Sequence, residues 1–143
     1  MPTSFGLKLS DSFAKYGQLC VGIDPHAALL SDWGLADDVQ GLESFANSVL
    51  DSVVGRVGII KPQVSFFERH GSKGFAVLEK LAERAAQTDL LVIMDAKRGD
   101  IGTTMDAYFD AWLGHNAPFA SDALTVSPYL GFGSLRDTLS GAL

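Results

Sequence analysis

The sequence predicts an α/β fold: four parallel βα units behind an N-terminal helix. Three observations carry this reading. Short apolar runs rich in β-branched residues recur along the 143-residue chain, at 19–23, 57–60, 90–94 and 123–126. Segments of helical period stand between them, and strand starts roughly 30 to 40 residues apart are the βαβ spacing of a parallel sheet. The runs are near-continuous rather than alternating, which predicts a sheet buried on both faces.

Taken in order, residues 4–16 read as the first helix, with Phe5, Leu9, Phe13 and Tyr16 on one stripe and Gly17 suited to its C-terminal end. The run 19–23 follows as strand one and includes Cys20, read as an inert core residue. Over 37–54, Val39, Leu42, Phe45, Ala46, Val49, Leu50 and Val53 keep a 3.6-residue period. After strand two at 57–60, the segment 75–86 aligns Leu78, Leu81, Ala82 and Ala85. After strand three at 90–94, Met105, Tyr108, Phe109 and Trp112 follow i, i+3, i+4, i+7 and read as helix–sheet core. Strand four at 123–126 leads to Gly131-Phe132-Gly133-Ser134, which could form an anion nest but reads more simply as a turn, and to 135–143, a helix barely begun. Two architectures fit four such units: a small open doubly wound sheet, or the first half of a (β/α)₈ barrel, which takes ~250 residues in full. No linker or compositional break suggests a second domain.

Composition narrows the function classes. With 47% hydrophobic and 20% charged residues, the chain has the makings of a packed core rather than of a disordered segment. A single cysteine excludes an intramolecular disulfide framework. The segment MPTSFGLKLSDSF has no secretory-signal pattern, and the longest aliphatic run, 90–94, is far short of a bilayer span, so the expectation is a soluble cytoplasmic chain with no membrane partner. A net charge of −6 without a basic cluster argues against nucleic acid as a partner. His26, His70 and His115 lack metal-ligand spacing and read as loop or surface residues.

The chemistry gathers where strands end, as it does in parallel α/β folds. Strand one runs into Asp24-Pro25, strand two into Lys61-Pro62, and strand three into Asp95-Ala96-Lys97-Arg98-Gly99-Asp100. Asp24 and Asp100 also suit helix N-caps, and Lys61 could snorkel. Capping does not explain alternating signs at three successive strand ends. Residues two apart share a strand face, so Asp95 and Lys97 should project together, with Lys61 beside them if strands two and three are neighbours. A lysine held protonated between carboxylates suits a reaction that builds charge on carbon and then protonates it.

These residues resemble a known family. Asp95-Ala96-Lys97-Arg98-Gly99-Asp100 matches the D-x-K-x-x-D signature of orotidine 5′-phosphate decarboxylases, and DAKRGDIGTT with VGIDPH and SPYLGFGSL is similar to their longer bacterial branch. The resemblance implies a (β/α)₈ barrel, a homodimer, and a decarboxylation to UMP, in pyrimidine biosynthesis, that uses neither metal nor organic cofactor. It implies Lys97 as proton donor to C6 of the pyrimidine, with Asp95 beside the leaving carboxylate and holding Lys97. Lys61 and Asp24 would bind ribose hydroxyls, with Lys61 also bonding Asp95. Asp100, Ile101 and Thr104 would reach into the partner subunit's site, and Ser127 and Pro128 would lie near the pyrimidine. It also implies four further βα units, carrying the phosphate grip with its arginine and a lid, so residues 1–143 are expected to form a partial barrel that is nearly inactive alone. Two other readings stay open. One is a metal-dependent sugar-phosphate lyase or aldolase of the same superfamily, disfavoured because its acidic metal ligand would fall at Lys61; a Schiff-base aldolase using Lys61 or Lys97 is weaker still. The other is a non-catalytic half-barrel that associates with another chain.

Overall fold

The computed structural model describes residues 4–114 and 116–136. The order is α1 (Phe5–Tyr16), β1 (Cys20–Ile23), α2 (Ala27–Asp32), α3 (Val39–Val53), β2 (Ile59–Pro62), α4 (Val64–Glu68), α5 (Gly71–Ala85), β3 (Leu91–Arg98), α6 (Gly102–Trp112) and β4 (Ala123–Val126), closed by a 3₁₀ turn at Phe132–Leu135. All four strands are parallel and lie in the order β1-β2-β3-β4. This is the arrangement of four successive units of a (β/α)₈ barrel. His115 and most of the helix expected at 135–143 lie outside the described residues.

Strand periodicity decides which residues become core and which become site. Along β3, Val92, Met94 and Ala96 are buried, whereas Ile93, Asp95 and Lys97 lie on the other, more open face. The buried set joins Ile23 and Ile60 beneath the apolar stripes of α3 (Leu42, Phe45, Ala46, Val49, Leu50, Val53) and α5 (Val77, Leu78, Leu81, Ala82, Ala85). Burying such stripes against a sheet supplies most of a helix's stability in a protein. Trp112 and Met105 carry α6 inward as expected, with Tyr108 and Phe109 half-buried. Across the N-terminal ends of the strands, Lys8 of α1 pairs with Asp122 at 2.9 Å and Lys15 with Asp89 at 2.6 Å.

Several expectations are corrected. Strand one is not buried on both faces: Leu19 is 59% exposed and Cys20 is exposed too, because β1 is an edge strand whose second face is open. Cys20 is therefore not a core residue. Strand two sits further on than 57–60, and strand three runs four residues beyond Met94, so Lys61, Asp95 and Lys97 lie within strands rather than after them. Asp24 caps no helix; His26 does, its Nδ1 accepting from the Leu29 N–H at 3.2 Å. Asp100 is likewise not the cap of α6, whose N-cap position is Ile101. The short helices α2 and α4 carry too few turns to show a period. The Gly131–Ser134 stretch is a turn, with the Ser134 N–H and hydroxyl both donating to the Gly131 carbonyl. Among the described residues, no helix is long and apolar enough to cross a membrane.

The packing of α4 on α5 is close enough to test. A Cβ on Gly74 would stand 2.0 Å from the Phe67 carbonyl oxygen, a backbone atom with nowhere to go. Gly74→Ala is expected to lower unfolding stability in urea by about 1–3 kcal/mol despite alanine's better helix propensity. An unchanged or higher midpoint would contradict this packing.

Candidate active site

Lys61, Asp95 and Lys97 meet on the open face of the sheet. Parallel pairing of β2 with β3 places Ile59 beside Leu91 and Ile60 beside Val92, which brings the C-terminal ends of the two strands together. Lys61 Nζ then lies 2.8 Å from Asp95 Oδ2, and Lys97 Nζ 2.5 Å from Asp95 Oδ1. The carboxylate side chain is only 12% exposed, against 33% for Lys61 and 61% for Lys97. The buried member is the anion, and the more accessible cation is Lys97.

Two neutral residues complete the shell. Thr125 of β4 donates its hydroxyl to Asp95 Oδ1 at 2.9 Å. Gln63, in the amide orientation that satisfies both of its ends, donates to Asp95 Oδ2 at 2.7 Å and accepts from Lys97 Nζ at 3.3 Å. Each carboxylate oxygen thus receives one ammonium and one neutral donor. Burial pushes the Asp95 carboxyl up, but the bonds from Lys61, Lys97 and Thr125 outweigh it and hold the group down to about 2. Burial pushes the Lys61 ammonium down, and the Asp95 hydrogen bond with the Asp95, Asp24 and Cys20 charges more than offsets it, raising its pKa. At neutral pH the array is a carboxylate between two ammonium groups.

Lys97 is held in a backbone conformation that a lysine seldom adopts. Its φ is 50°, the left-handed region, unique among the described non-glycine residues and costing on the order of 1–3 kcal/mol. It falls within a register break of the β3–β4 ladder, between Met94 and Arg98. Beyond the break, Arg98 points to the helix side, where it pairs with Glu68 at 3.1 Å and lies 5.8 and 5.6 Å from the Tyr108 and Trp112 ring centres. Gly99 is required next because the chain passes close to β4: a Cβ there would stand 2.6 Å from the Ser127 carbonyl oxygen. The Ser127 N–H donates to the Arg98 carbonyl at 2.7 Å, which places Ser127 at the same rim.

The remaining sequence candidates divide. Gly22 lies opposite Lys61 in the β1–β2 register, so Asp24 follows on the same side; its Oδ1 is buried without a hydrogen-bond partner, and its charge acts on Lys61. Asp100 turns back on its own chain, Oδ1 accepting from the Ile101 N–H at 2.8 Å. Ile101 is 60% exposed, and Thr104 and Pro128 are exposed. Gln63 and Thr125 were not among the candidates. The period-two rule could have found both: Gln63 follows Lys61 by two positions, and Thr125 is the polar member of β4.

The chain matches the model of the orotidine 5′-phosphate decarboxylase / HUMPS family over residues 17–143. It is 57% identical over 132 residues to an orotidine 5′-phosphate decarboxylase of Streptomyces coelicolor, covering 92% of this chain and 48% of that protein. A Nocardioides relative of the same name is 57% identical over 131 residues, with the same coverage. Among solved structures, a Streptomyces avermitilis protein described as an orotidine 5′-phosphate decarboxylase superposes with a TM-score of 0.96 at 56% identity, covering 99% of this chain and 50% of that one. The Leishmania donovani OMP decarboxylase gives a TM-score of 0.76 at 30% identity, covering 96% and 50%. The chain spans about half the length of the curated relatives it matches.

The array makes stability depend on pH with a definite sign. Asp95 titrates lower when folded than when unfolded, so its contribution is present above about pH 4 and is lost as pH falls through about 2. Allowing for solvent screening of the exposed lysines, Asp95→Asn is expected to cost about 1–2 kcal/mol at pH 7. In urea unfolding measured across pH, the gap between parent and variant should close between about pH 4 and 2. Parallel curves would contradict the assignment.

Proposed function

The chain belongs to the orotidine 5′-phosphate decarboxylase / HUMPS family, and from that premise we propose that it supplies the charged array of an enzyme converting orotidine 5′-phosphate to UMP. The observation that carries this reading is the Lys61–Asp95–Lys97 contact on the open face of the sheet. Loss of CO₂ leaves an electron pair on C6 of the pyrimidine. An ammonium beside that carbon stabilises the pair and then delivers a proton to it. Lys97 suits both tasks, because its Nζ is the accessible cation and Asp95 with Gln63 limits where it can point.

Asp95 acts twice in this reading. Its depressed titration keeps it anionic beside the substrate carboxylate, so departure of CO₂ removes a like-charge contact, and it orients Lys97 throughout. Lys61 and Asp24 are assigned to the ribose hydroxyls, supported by an unpartnered Asp24 oxygen and by an ammonium already oriented by Asp95. Ser127 and Pro128, at the rim beside Gly99, are assigned to the pyrimidine. Asp100, Ile101 and Thr104 are assigned to the site of a second subunit in a homodimer. The exposure of Ile101 and Thr104, with Asp100 half-buried beside them in the chain, supports that assignment. Residues 1–143 are read as a partial barrel domain. The phosphate grip, and the remote binding energy it lends to the reacting centre, is assigned to the other βα units of the barrel.

A chimera joining residues 1–143 to the second half of the Streptomyces coelicolor relative tests the reading. It is expected to form UMP from orotidine 5′-phosphate, whereas the 143-residue chain alone does so barely or not at all. Lys97→Ala in the chimera should lower turnover by roughly 10²–10⁴-fold while leaving the fold intact. Full turnover in that variant would overturn the role of Lys97, and a folded chimera without UMP formation would overturn the activity.

A further inference from the structure

The β3–β4 ladder leaves a gap where Lys97 sits. Ile93 and Met94 face Ala123 and Leu124, and the next pair is Arg98 with Val126, so β3 advances four residues while β4 advances two. Thr125 is the β4 residue opposite the gap. Its hydroxyl accepts from the Lys97 backbone N–H at 3.0 Å and donates to Asp95 Oδ1 at 2.9 Å. A hydroxyl has one proton and two lone pairs, so both bonds coexist. A single atom therefore occupies the place of a missing ladder partner and also binds the central carboxylate of the array.

We propose that Thr125 is a positioning residue: its hydroxyl locks the left-handed backbone of Lys97 to the Asp95 carboxylate, and so sets where the Lys97 ammonium stands. The proposal rests on the decarboxylase reading only in treating Lys97 as the reacting cation. The left-handed conformation at Lys97 has to be held from outside, since a lysine does not prefer it. The register break also takes the Lys97 N–H out of the regular ladder, and the Thr125 hydroxyl is the partner it finds instead. The hydroxyl is what serves both needs: valine keeps the shape and strand propensity but loses it, whereas serine keeps it and loses only a methyl group.

The pair Thr125→Val and Thr125→Ser in the isotopically labelled 143-residue chain tests this by NMR without substrate. Thr125→Val is expected to raise the Asp95 carboxyl midpoint by about one pH unit. At neutral pH it should speed hydrogen exchange of the Lys97 amide by about tenfold or more, with amides of α3 and α5 unchanged. Thr125→Ser should keep both parent values. The proposal is overturned if Val leaves either quantity at its parent value, if Ser behaves as Val does, or if exchange rises equally throughout the chain. Neither readout involves catalysis, so failure of the chimera to form UMP would sink the decarboxylase reading and leave this result standing, and the reverse holds equally.

Discussion

A single carboxylate organises the open face of this sheet. Asp95 is the most buried of the three paired charges, and every other member of the array touches it: Lys61 from β2, Lys97 from its own strand, Thr125 from β4 and Gln63 from the end of β2. A buried charge is tolerated only when it is paired and hydrogen-bonded. Asp95 therefore imposes a requirement on three strands at once. Sheet order and register meet it: with β2 and β3 adjacent and parallel, the two lysines reach opposite oxygens of one carboxylate.

The same constraint explains the strain. A regular strand would carry the chain through Lys97 with extended backbone and a continuous ladder to β4. Here the ladder breaks, Lys97 takes a positive φ, and Arg98 beyond it is pinned on the helix side by Glu68 and the rings of Tyr108 and Trp112. The irregularity is confined to the residues that carry charge. The core beneath them, from Val92 and Met94 to the stripes of α3 and α5, keeps ordinary packing. Irregular backbone held in place by its surroundings is a recurrent property of reaction sites.

The fold was legible where periodicity is strong. The stripes on α1, α3, α5 and α6 and the four apolar runs appear as elements, with edges moved by a few residues. The exposure of strand one is not legible, since a run such as Leu19–Ile23 reads the same at the edge of a sheet as at its centre. Asp95, Lys97 and Lys61 were legible because charges seldom follow buried runs without a partner. Thr125 and Gln63 do not stand out, because neutral polar residues in or after a strand are commonplace, and nothing local marks them as donors to a carboxylate about 30 residues away in the sequence. The positive φ of Lys97 has no signature in its residue type at all; it follows from the register break, which is a property of two strands together.

The dependence of the site on Asp95 is most directly measured by a double-mutant cycle. Asp95→Asn, Lys61→Met and their combination would be compared by urea unfolding at pH 7. The geometry predicts non-additivity, with a coupling of about 1 kcal/mol or more between the two positions. Effects that add to within about 0.3 kcal/mol would show that the two groups do not interact, and the array would lose its centre.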